Sequence, residues 1–199
     1  MDKEKEIRQL IVENVETRAT EDGNMLIESY VATFNSKSKF MGFYEVIDTK
    51  AFDGTLSDGH NIFMLYNHDW DKPLADTETN TLQLSVDNVG LRFSLTLDKT
   101  ISYSMDAYNL VRKKLIKGCS FGFYVNEESW ATNNNMEDIR TLLSVTLLEC
   151  TLTPMPAYNE TSANVRSYKE YKDNKNRELT KEKEQKELEL LKIELDLLD

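Results

Sequence analysis

Only two histidines occur in the chain, and one of them stands where a general base would be well held. His68 comes directly after the apolar run 62–66, whereas His60 lies in a polar stretch after Ser57-Asp58-Gly59. A side chain at the end of a buried strand is fixed by that strand and stays reachable, which suits proton transfer. The alternative is a half-buried structural histidine, and position along the chain does not by itself exclude it.

Ser120 is distinguished from the other serines by its neighbours, Gly118-Cys119-Ser120-Phe121-Gly122. Glycines two residues away on either side would let a substrate backbone approach the hydroxyl and would leave nearby N–H groups free to face an oxyanion. A serine hydroxyl becomes a good nucleophile when an adjacent base takes its proton. The alternative is that Gly118 caps a helix and Ser120 begins an ordinary strand.

Glu149 is the third candidate because it interrupts an otherwise apolar strand, Val145-Thr146-Leu147-Leu148-Glu149-Cys150-Thr151-Leu152. A carboxylate there must be paired or exposed, since burying it alone is costly. Strand alternation places Leu147, Glu149 and Thr151 on one face. A carboxylate aimed at His68 would fix the imidazole tautomer and stabilise the imidazolium. The alternative is a solvent-facing glutamate on an edge strand.

Cysteine and metal chemistry fit the sequence less well. Cys119 could supply a thiol nucleophile, but its side chain would point to the face opposite that of Ser120. The only other cysteine is Cys150, and no Cys or His pair has the spacing of a zinc site. Without an export signal a disulfide is not expected. No cofactor is predicted, because the seven glycines form no nucleotide-binding pattern.

The composition predicts a cytosolic, single-domain protein with an appendage. The chain has 199 residues, 40% hydrophobic and 30% charged, with a formal net charge of −11. Such an acidic chain repels phosphate backbones, so we do not expect nucleic-acid binding. No apolar run approaches the roughly 18–20 residues that span a bilayer, and the N-terminal residues lack the apolar core of a secretory signal.

The elements that must position the candidate residues are mostly strands. Apolar and alternating patterns predict strands over residues 25–34, 43–47, 62–66, 82–86, 91–97, 119–125 and 139–153. A turn at Gly23-Asn24 precedes the strand at 25–34, and Pro154 and Pro156 end the strand at 139–153. The turn Asp87-Asn88-Val89-Gly90 joins the strands at 82–86 and 91–97 in a hairpin. One helical turn is expected at 51–56, and the first ten residues are expected to be frayed.

Two segments have a helical pattern. Apolar residues recur at helical spacing from Met105 to Ile116, with Gly118 at the position of a C-terminal capping glycine. Residues 166–199 are rich in Lys and Glu, and Leu188, Leu191, Leu195 and Leu198 follow coiled-coil spacing. We therefore predict a globular domain over 10–165 and a charged helical tail over 166–199.

Several motifs, taken in order, resemble the prohead (capsid maturation) proteases of tailed phages. They are Tyr30-Val31-Ala32-Thr33-Phe34-Asn35, Gly42-Phe43-Tyr44-Glu45-Val46-Ile47 with Ala51-Phe52, Leu65-Tyr66-Asn67-His68-Asp69, Gly118-Cys119-Ser120-Phe121-Gly122-Phe123 and Leu148-Glu149-Cys150-Thr151-Leu152-Thr153-Pro154-Met155-Pro156-Ala157-Tyr158. Each motif alone is weak, but their order and spacing are specific. Departures are Cys119 and Cys150, where Met or Val is more usual, and Leu74-Ala75-Asp76 in place of Leu-Gly-Arg.

The resemblance implies a mostly β, α+β fold: a small closed β-barrel like that of the herpesvirus assembly proteases. It also implies the catalytic order His68, Ser120 and a third residue. In the herpesvirus relatives the third residue is a histidine. Since no histidine follows Ser120 here, Glu149 is the natural carboxylate for that role.

The implied function is a serine endopeptidase that cleaves the scaffold or delta segment of the major capsid protein, and itself, inside the assembling procapsid in the host cytoplasm. A homo-oligomer is compatible with this resemblance, and the tail would be a scaffold-like or self-cleaved segment. One alternative is a non-enzymatic scaffolding or chaperone module that binds capsid protein through the tail. Another is an esterase that uses the same serine and histidine.

Overall fold

The computed structural model describes residues 4–11, 15–19, 25–154 and 162–196. Contacts divide the chain into two compact units, Met1–Thr161 and Ser162–Asp199. The predicted Gly23-Asn24 turn and Pro156 lie outside the described residues.

In the part of the first unit that the structure describes, most elements are strands, and the two helices are short. The strands are β1 (Glu6–Ile11), β2 (Glu16–Ala19), β3 (Met25–Thr33), β4 (Tyr44–Ile47), β5 (Phe63–Tyr66), β6 (Asp69–Asp76), β7 (Leu82–Val86), β8 (Gly90–Leu97), β9 (Gly118–Thr132) and β10 (Asp138–Thr153). The helices are α1 (Asp53–Ser57) and α2 (Ser102–Arg112). The second unit is the long helix α3 (Ser162–Asp196), which gives the predicted tail its helical structure.

The strands pair in two sheets, and β10 lies inside the larger one. That sheet has the order β1-β9-β10-β5-β6, with β4 also paired to β10. The strand β10 runs antiparallel to β9 and parallel to β4 and β5. Residues 149–153 of β10 are all buried, which shows that both faces of the strand are covered there, and a strand covered on both faces tolerates an apolar run.

The second sheet has the order β2-β3-β8-β7 and contains the predicted β7–β8 hairpin. Buried residues from both sheets and from α2 form one core, which includes Ile27, Phe93, Phe121, Phe123 and Leu147. The expected mixed α+β class is confirmed. Among the described residues neither sheet closes on itself, so the expected closed barrel is not confirmed.

The prediction that the first ten residues are frayed was wrong for residues 6–10. Residues 6–11 form β1, which pairs with β9 in the register Glu6↔Phe123 to Ile11↔Gly118. The charges that suggested solvent exposure are instead buried in pairs, as Glu6 is 2% and Arg8 6% exposed. Pairing of opposite charges removes much of the cost that otherwise keeps such side chains in water.

Glu6 and Arg8 belong to a buried ion cluster, which we define as Glu6, Arg8, Glu45 and Arg140. Arg140 binds both carboxylate oxygens of Glu6 at 2.8 and 2.9 Å and reaches Glu45 at 3.0 Å. Arg8 binds the two oxygens of Glu45 at 2.5 and 2.8 Å. The cluster therefore fastens β1 to β4 and β10.

The helix α2 ends earlier than expected, and Gly118 does not cap it. Lys114 takes the left-handed conformation (φ 58°), and its N–H donates to the Val111 carbonyl at 2.8 Å. Gly118 is instead the first residue of β9. The strand β6 was not predicted, because its sequence, Asp69-Trp70-Asp71-Lys72-Pro73-Leu74-Ala75-Asp76, is polar and contains proline, which suits the edge position that it occupies.

Candidate active site

The pairing of β9 with β10 brings Ser120 and Glu149 to one face of the larger sheet. Ser120 lies opposite Thr151, and Gly122 lies opposite Glu149. Directly opposed residues of antiparallel strands project to the same side, with Cβ atoms about 4.5–5.5 Å apart. Ser120, Gly122, Glu149 and Thr151 therefore share one face, which we call the site face.

His68 reaches this face from a tight turn between β5 and β6. Asn67 and His68 both have positive φ values, 55° and 59°, and this conformation is unusual for histidine. The backbone N–H of His68 donates to the Thr151 hydroxyl at 3.3 Å, and that of Asn67 donates to the Leu152 carbonyl at 3.0 Å. The turn therefore fixes the imidazole beside β10. Strained backbone of this kind is concentrated at functional sites.

Glu149 is fully buried and has a partner on each carboxylate oxygen. His68 Nδ1 lies 2.8 Å from Oε1, and the Thr151 hydroxyl donates to Oε2 at 2.8 Å. Lys5 Nζ is 3.2 Å from Oε1. Burial raises the pKa of Glu149, but the hydrogen bond and charge of His68, the charge of Lys5 and the Thr151 hydroxyl outweigh it, so that the pKa lies below its ordinary value. An ionised Glu149 can only accept, so Nδ1 is the donor of this hydrogen bond, and in the neutral imidazole Nε2 is then the acceptor.

The structure does not join His68 to Ser120 by a hydrogen bond. His68 Nε2 is buried and has no hydrogen-bond partner among the described residues. Ser120 is fully buried, and its hydroxyl donates to the Arg8 carbonyl in β1 at 2.8 Å. The histidine–carboxylate pair is therefore assembled, while the serine on the same face is engaged with the N-terminal strand.

The competing candidates have other roles. Both ring nitrogens of His60 are engaged, with Asp58 at 2.5 Å and with the Leu147 carbonyl at 2.6 Å. Burial lowers the pKa of His60, but these two partners raise it above its ordinary value. Cys119 is buried in the core, and desolvation raises its pKa to about 12, which leaves almost no thiolate at neutral pH. The alternative of a solvent-facing Glu149 on an edge strand was wrong.

Sequence reasoning did not assign a role to Thr151 or Lys5, and it gave Gly122 a different one, that of leaving space for a substrate backbone beside Ser120. For Thr151 a signal existed, since strand alternation places it two residues after Glu149 on the same face. Lys5 lies outside every motif, and its contact with Glu149 depends on the unpredicted strand β1. A Cβ atom built on Gly122 would lie 2.5 Å from Glu149 Oε1 and would also overlap the Lys5 side chain. The missing side chain therefore leaves room for the carboxylate.

We expect Thr151→Val to slow hydrolysis about tenfold, because an isosteric methyl group removes one hydrogen bond to Glu149 and one to His68. Initial rates of peptide hydrolysis, the reaction that the motifs imply, measure the effect. Thr151→Ser should restore most of the activity, and Thr146→Val, on the same strand, should leave it unchanged. Equal rates for Thr151→Val and wild type would show that Thr151 does not position the pair.

We expect Gly122→Ala to reduce activity at least about tenfold, because the Glu149 carboxylate must leave its place against His68. Lys5 can swing aside, but Glu149 is held on both oxygens. The matched control is Gly54→Ala, since a Cβ atom at Gly54 would meet nothing within 4 Å. Full activity of a folded Gly122→Ala variant would mean that the carboxylate position is not critical.

The described residues contain neither a membrane-spanning helix nor a candidate metal centre. No helix there is both long and apolar enough to cross a membrane. Within the same residues no group of three or more His, Cys, Asp or Glu side chains is placed to hold a metal ion.

Comparisons with known proteins agree with the motifs. Residues 13–175 match the family described as Caudovirus prohead serine protease. The solved structure of the bacteriophage T4 capsid assembly protease is similar in fold, with a TM-score of 0.52 and 8% sequence identity, over 77% of this chain and 100% of that chain. No curated protein sequence is significantly similar. Because the family match extends over most of the chain, this protein belongs to the Caudovirus prohead serine protease family.

Proposed function

We propose that the chain is a serine endopeptidase with Ser120 as nucleophile, His68 as general base and Glu149 as the residue that orients His68. The observation that carries this assignment is the pair of buried Glu149 and half-buried His68, which shares a face with Ser120. The Nε2 atom of His68 has no hydrogen-bond partner among the described residues. Membership of a serine protease family supports the reaction type.

In the proposed reaction Ser120 Oγ attacks the scissile carbonyl carbon, while its proton passes to His68 Nε2. The imidazolium, stabilised by ionised Glu149, then protonates the leaving amine as the peptide C–N bond breaks and an acyl-enzyme remains. Water, deprotonated by His68, attacks the ester, and the proton returns to Ser120 Oγ when the acid product leaves. Backbone N–H groups near Ser120 and Phe121 are the proposed oxyanion donors.

The proposed substrates are the major capsid protein and its scaffold or delta segment, cleaved inside the assembling procapsid in the host cytoplasm. The family description, a prohead protease of tailed phages, supports this choice. Self-cleavage belongs to the same proposal.

Co-expression with the capsid protein of the same phage tests the assignment. We expect a shortened capsid protein with wild type and an intact one with Ser120→Ala or His68→Ala. Ser104→Ala is the matched control, since Ser104 is also a buried serine. Its hydroxyl has no hydrogen-bond partner among the described residues. Cleavage that persists in Ser120→Ala would overturn the proposal. Turnover of small esters without any protein cleavage would instead favour an esterase.

For the tail we propose a role as a capsid-binding or self-cleaved segment. Leu188, Leu190 and Ile193 of α3 are more than half exposed, and such apolar side chains favour pairing with another helix. Mass spectrometry of the purified chain tests the second possibility. Loss of the tail from wild type but not from Ser120→Ala would support self-cleavage, whereas an intact tail in both would contradict it. Co-assembly with capsid protein that is unaffected by Ser120→Ala and His68→Ala would favour a scaffolding role.

A further inference from the structure

A β-bulge in β10 turns Glu149 onto the site face. Leu147 pairs with Phe123 and Glu149 pairs with Gly122, so that two steps along β10 match one step along β9. Phe123 and Gly122 are consecutive and therefore project to opposite faces of the sheet. Leu147 lies in the core with Phe123, so the expectation that it shares a face with Glu149 was wrong. Leu148 is the extra residue of this bulge, and such bulges re-aim side chains next to active sites.

The segment between β4 and β5 holds the bulge from the other edge of β10. Within the described residues β4 pairs with residues 139–142 and β5 with residues 149–152, and neither pairs with the stretch between them. The helix α1 and the loop after it contact β10 there. The Leu147 N–H donates to the Thr55 hydroxyl at 2.9 Å, and the Leu147 carbonyl lies 2.6 Å from His60 Nε2. Both backbone groups of Leu147 are thus held by side chains.

Both hydrogen-bond partners of the His60 ring are acceptors. Nδ1 lies 2.5 Å from an Asp58 carboxylate oxygen, and Nε2 faces the Leu147 carbonyl. Only the imidazolium has two N–H donors, so it alone satisfies both partners. In the neutral ring the single proton stays on Nδ1, because a bare Nδ1 would face the negative charge of Asp58. The Leu147 carbonyl then loses its donor.

The charges around His60 favour the imidazolium. Asp58 lies on the same loop, Glu78 follows β6, and Glu28 and Arg92 line the same cleft from β3 and β8. Since Glu28 and Arg92 pair with each other at 3.2 Å, the acids Asp58 and Glu78 dominate this environment. Burial lowers the pKa of His60, but its two hydrogen-bond acceptors outweigh burial and raise that pKa above its ordinary value of 6.5.

We propose that His60 is a positioning residue of the active site: its imidazolium holds the Leu147 carbonyl and so fixes the bulge that turns Glu149 onto the site face. This inference rests on the proposed function. Loss of the bond frees a backbone carbonyl two residues from Glu149, and the carboxylate then loses its fixed place against His68. The chemical step should slow, while the binding of substrate should not change.

Removal of the imidazole should lower kcat for capsid-protein cleavage and leave KM unchanged. We expect His60→Ala to reduce kcat about tenfold at pH 7, because the donor to Leu147 is gone. His60→Gln should keep about half of the wild-type kcat or more, since its amide nitrogen can take the place of Nε2. The matched control is Asn61→Ala, which changes the next residue of the loop. Asn61 binds Thr77 and Glu78, and its loss should leave kcat unchanged.

The pH profile separates positioning from a general structural role. Wild-type kcat should fall as the pH rises through the raised pKa of His60, since the neutral ring releases the Leu147 carbonyl. Asp58→Asn should keep its kcat to higher pH, because the amide can donate to Nδ1 and the one remaining proton can then rest on Nε2. His60→Gln should lack this alkaline loss, because an amide does not titrate.

The Nδ1 proton of His68 reports the position of Glu149 without turnover. A proton held by an ionised carboxylate gives a downfield NMR resonance, which the inactive Ser120→Ala chain should retain. We expect the same resonance in Ser120→Ala/His60→Gln and its loss in Ser120→Ala/His60→Ala. Circular dichroism confirms that each variant is folded, and Asp58→Asn tests the inference even if His60→Ala does not fold.

The outcomes separate the inference from the function on which it rests. Equal kcat for wild type and His60→Ala, or one common pH profile for wild type, Asp58→Asn and His60→Gln, would overturn the positioning role and leave the protease assignment standing. A His68 resonance that survives His60→Ala would overturn the positioning role as well. Cleavage that persists in Ser120→Ala would overturn both.

Discussion

Glu149→Gln should lower the rate of capsid-protein cleavage by about a thousandfold or more while leaving the chain folded. The amide keeps the size of the side chain but no longer holds the proton on His68 Nδ1 or stabilises the imidazolium, and loss of the equivalent carboxylate in other triads costs up to about ten-thousandfold. Initial rates under single-turnover conditions measure the effect on the chemical step.

Two controls separate this electrostatic role from a structural one. Glu78→Gln removes an exposed carboxylate that lies outside the site face and should not change the rate. Ser120→Ala/Glu149→Gln should be no slower than Ser120→Ala alone, because residues that act as one unit are not additive. A loss of less than about fivefold in Glu149→Gln would show that Glu149 is not the orienting residue.

Arg140→Ala should destabilise the first unit by about 3–5 kcal/mol, the cost of leaving buried carboxylates without their cation. Arg140 is 1% exposed and binds Glu6 through two hydrogen bonds and Glu45 through one. Arg8 remains in the variant but cannot by itself neutralise both carboxylates. Urea unfolding at pH 7, followed by circular dichroism, measures the change.

The direction of the pKa shift of Glu6 determines how the stability difference between wild type and Arg140→Ala depends on pH. Burial raises the pKa of Glu6, but the Arg140 hydrogen bond and the charges of Arg8 and Arg140 outweigh it and hold the pKa below its ordinary value of 4.5. The resulting stabilisation is present above that value and is lost as the pH falls through the lower folded value. The gap between wild type and Arg140→Ala should therefore be largest at pH 7 and shrink as the pH falls towards the lowered pKa of Glu6, because protonation removes the charge that Arg140 compensates.

Arg92→Ala is the control for Arg140→Ala. Arg92 is an exposed strand arginine that pairs with Glu28 at 3.2 Å, and its loss should cost less than about 1 kcal/mol. If Arg140→Ala were as stable as Arg92→Ala, the buried cluster would not be a source of stability. Burial is what makes the two arginines differ, since water screens only the exposed pair.

Hydrophobic patterns in the sequence correctly predicted those strands around the site whose apolar residues are buried. The apolar run 62–66 and the alternating segment 139–153 correspond to β5 and β10, because hydrophobic periodicity records which face of a strand is buried. The same alternation placed Glu149 and Thr151 on one face. The charged start of the chain led to the wrong prediction of frayed residues. The sequence alone does not distinguish a charge that is paired in the interior from a charge in water.

The sequence by itself determined which side chains could do chemistry: one histidine at a strand end, one serine between glycines and one glutamate in an apolar strand. Only the tertiary structure decided their partners, since Glu149 meets His68 across 81 residues and Ser120 meets Arg8 across 112 residues of the chain. Such contacts depend on strand order and register. These are set by the packing of the whole sheet, including a buried ion cluster whose members come from three strands, and no local pattern encodes them.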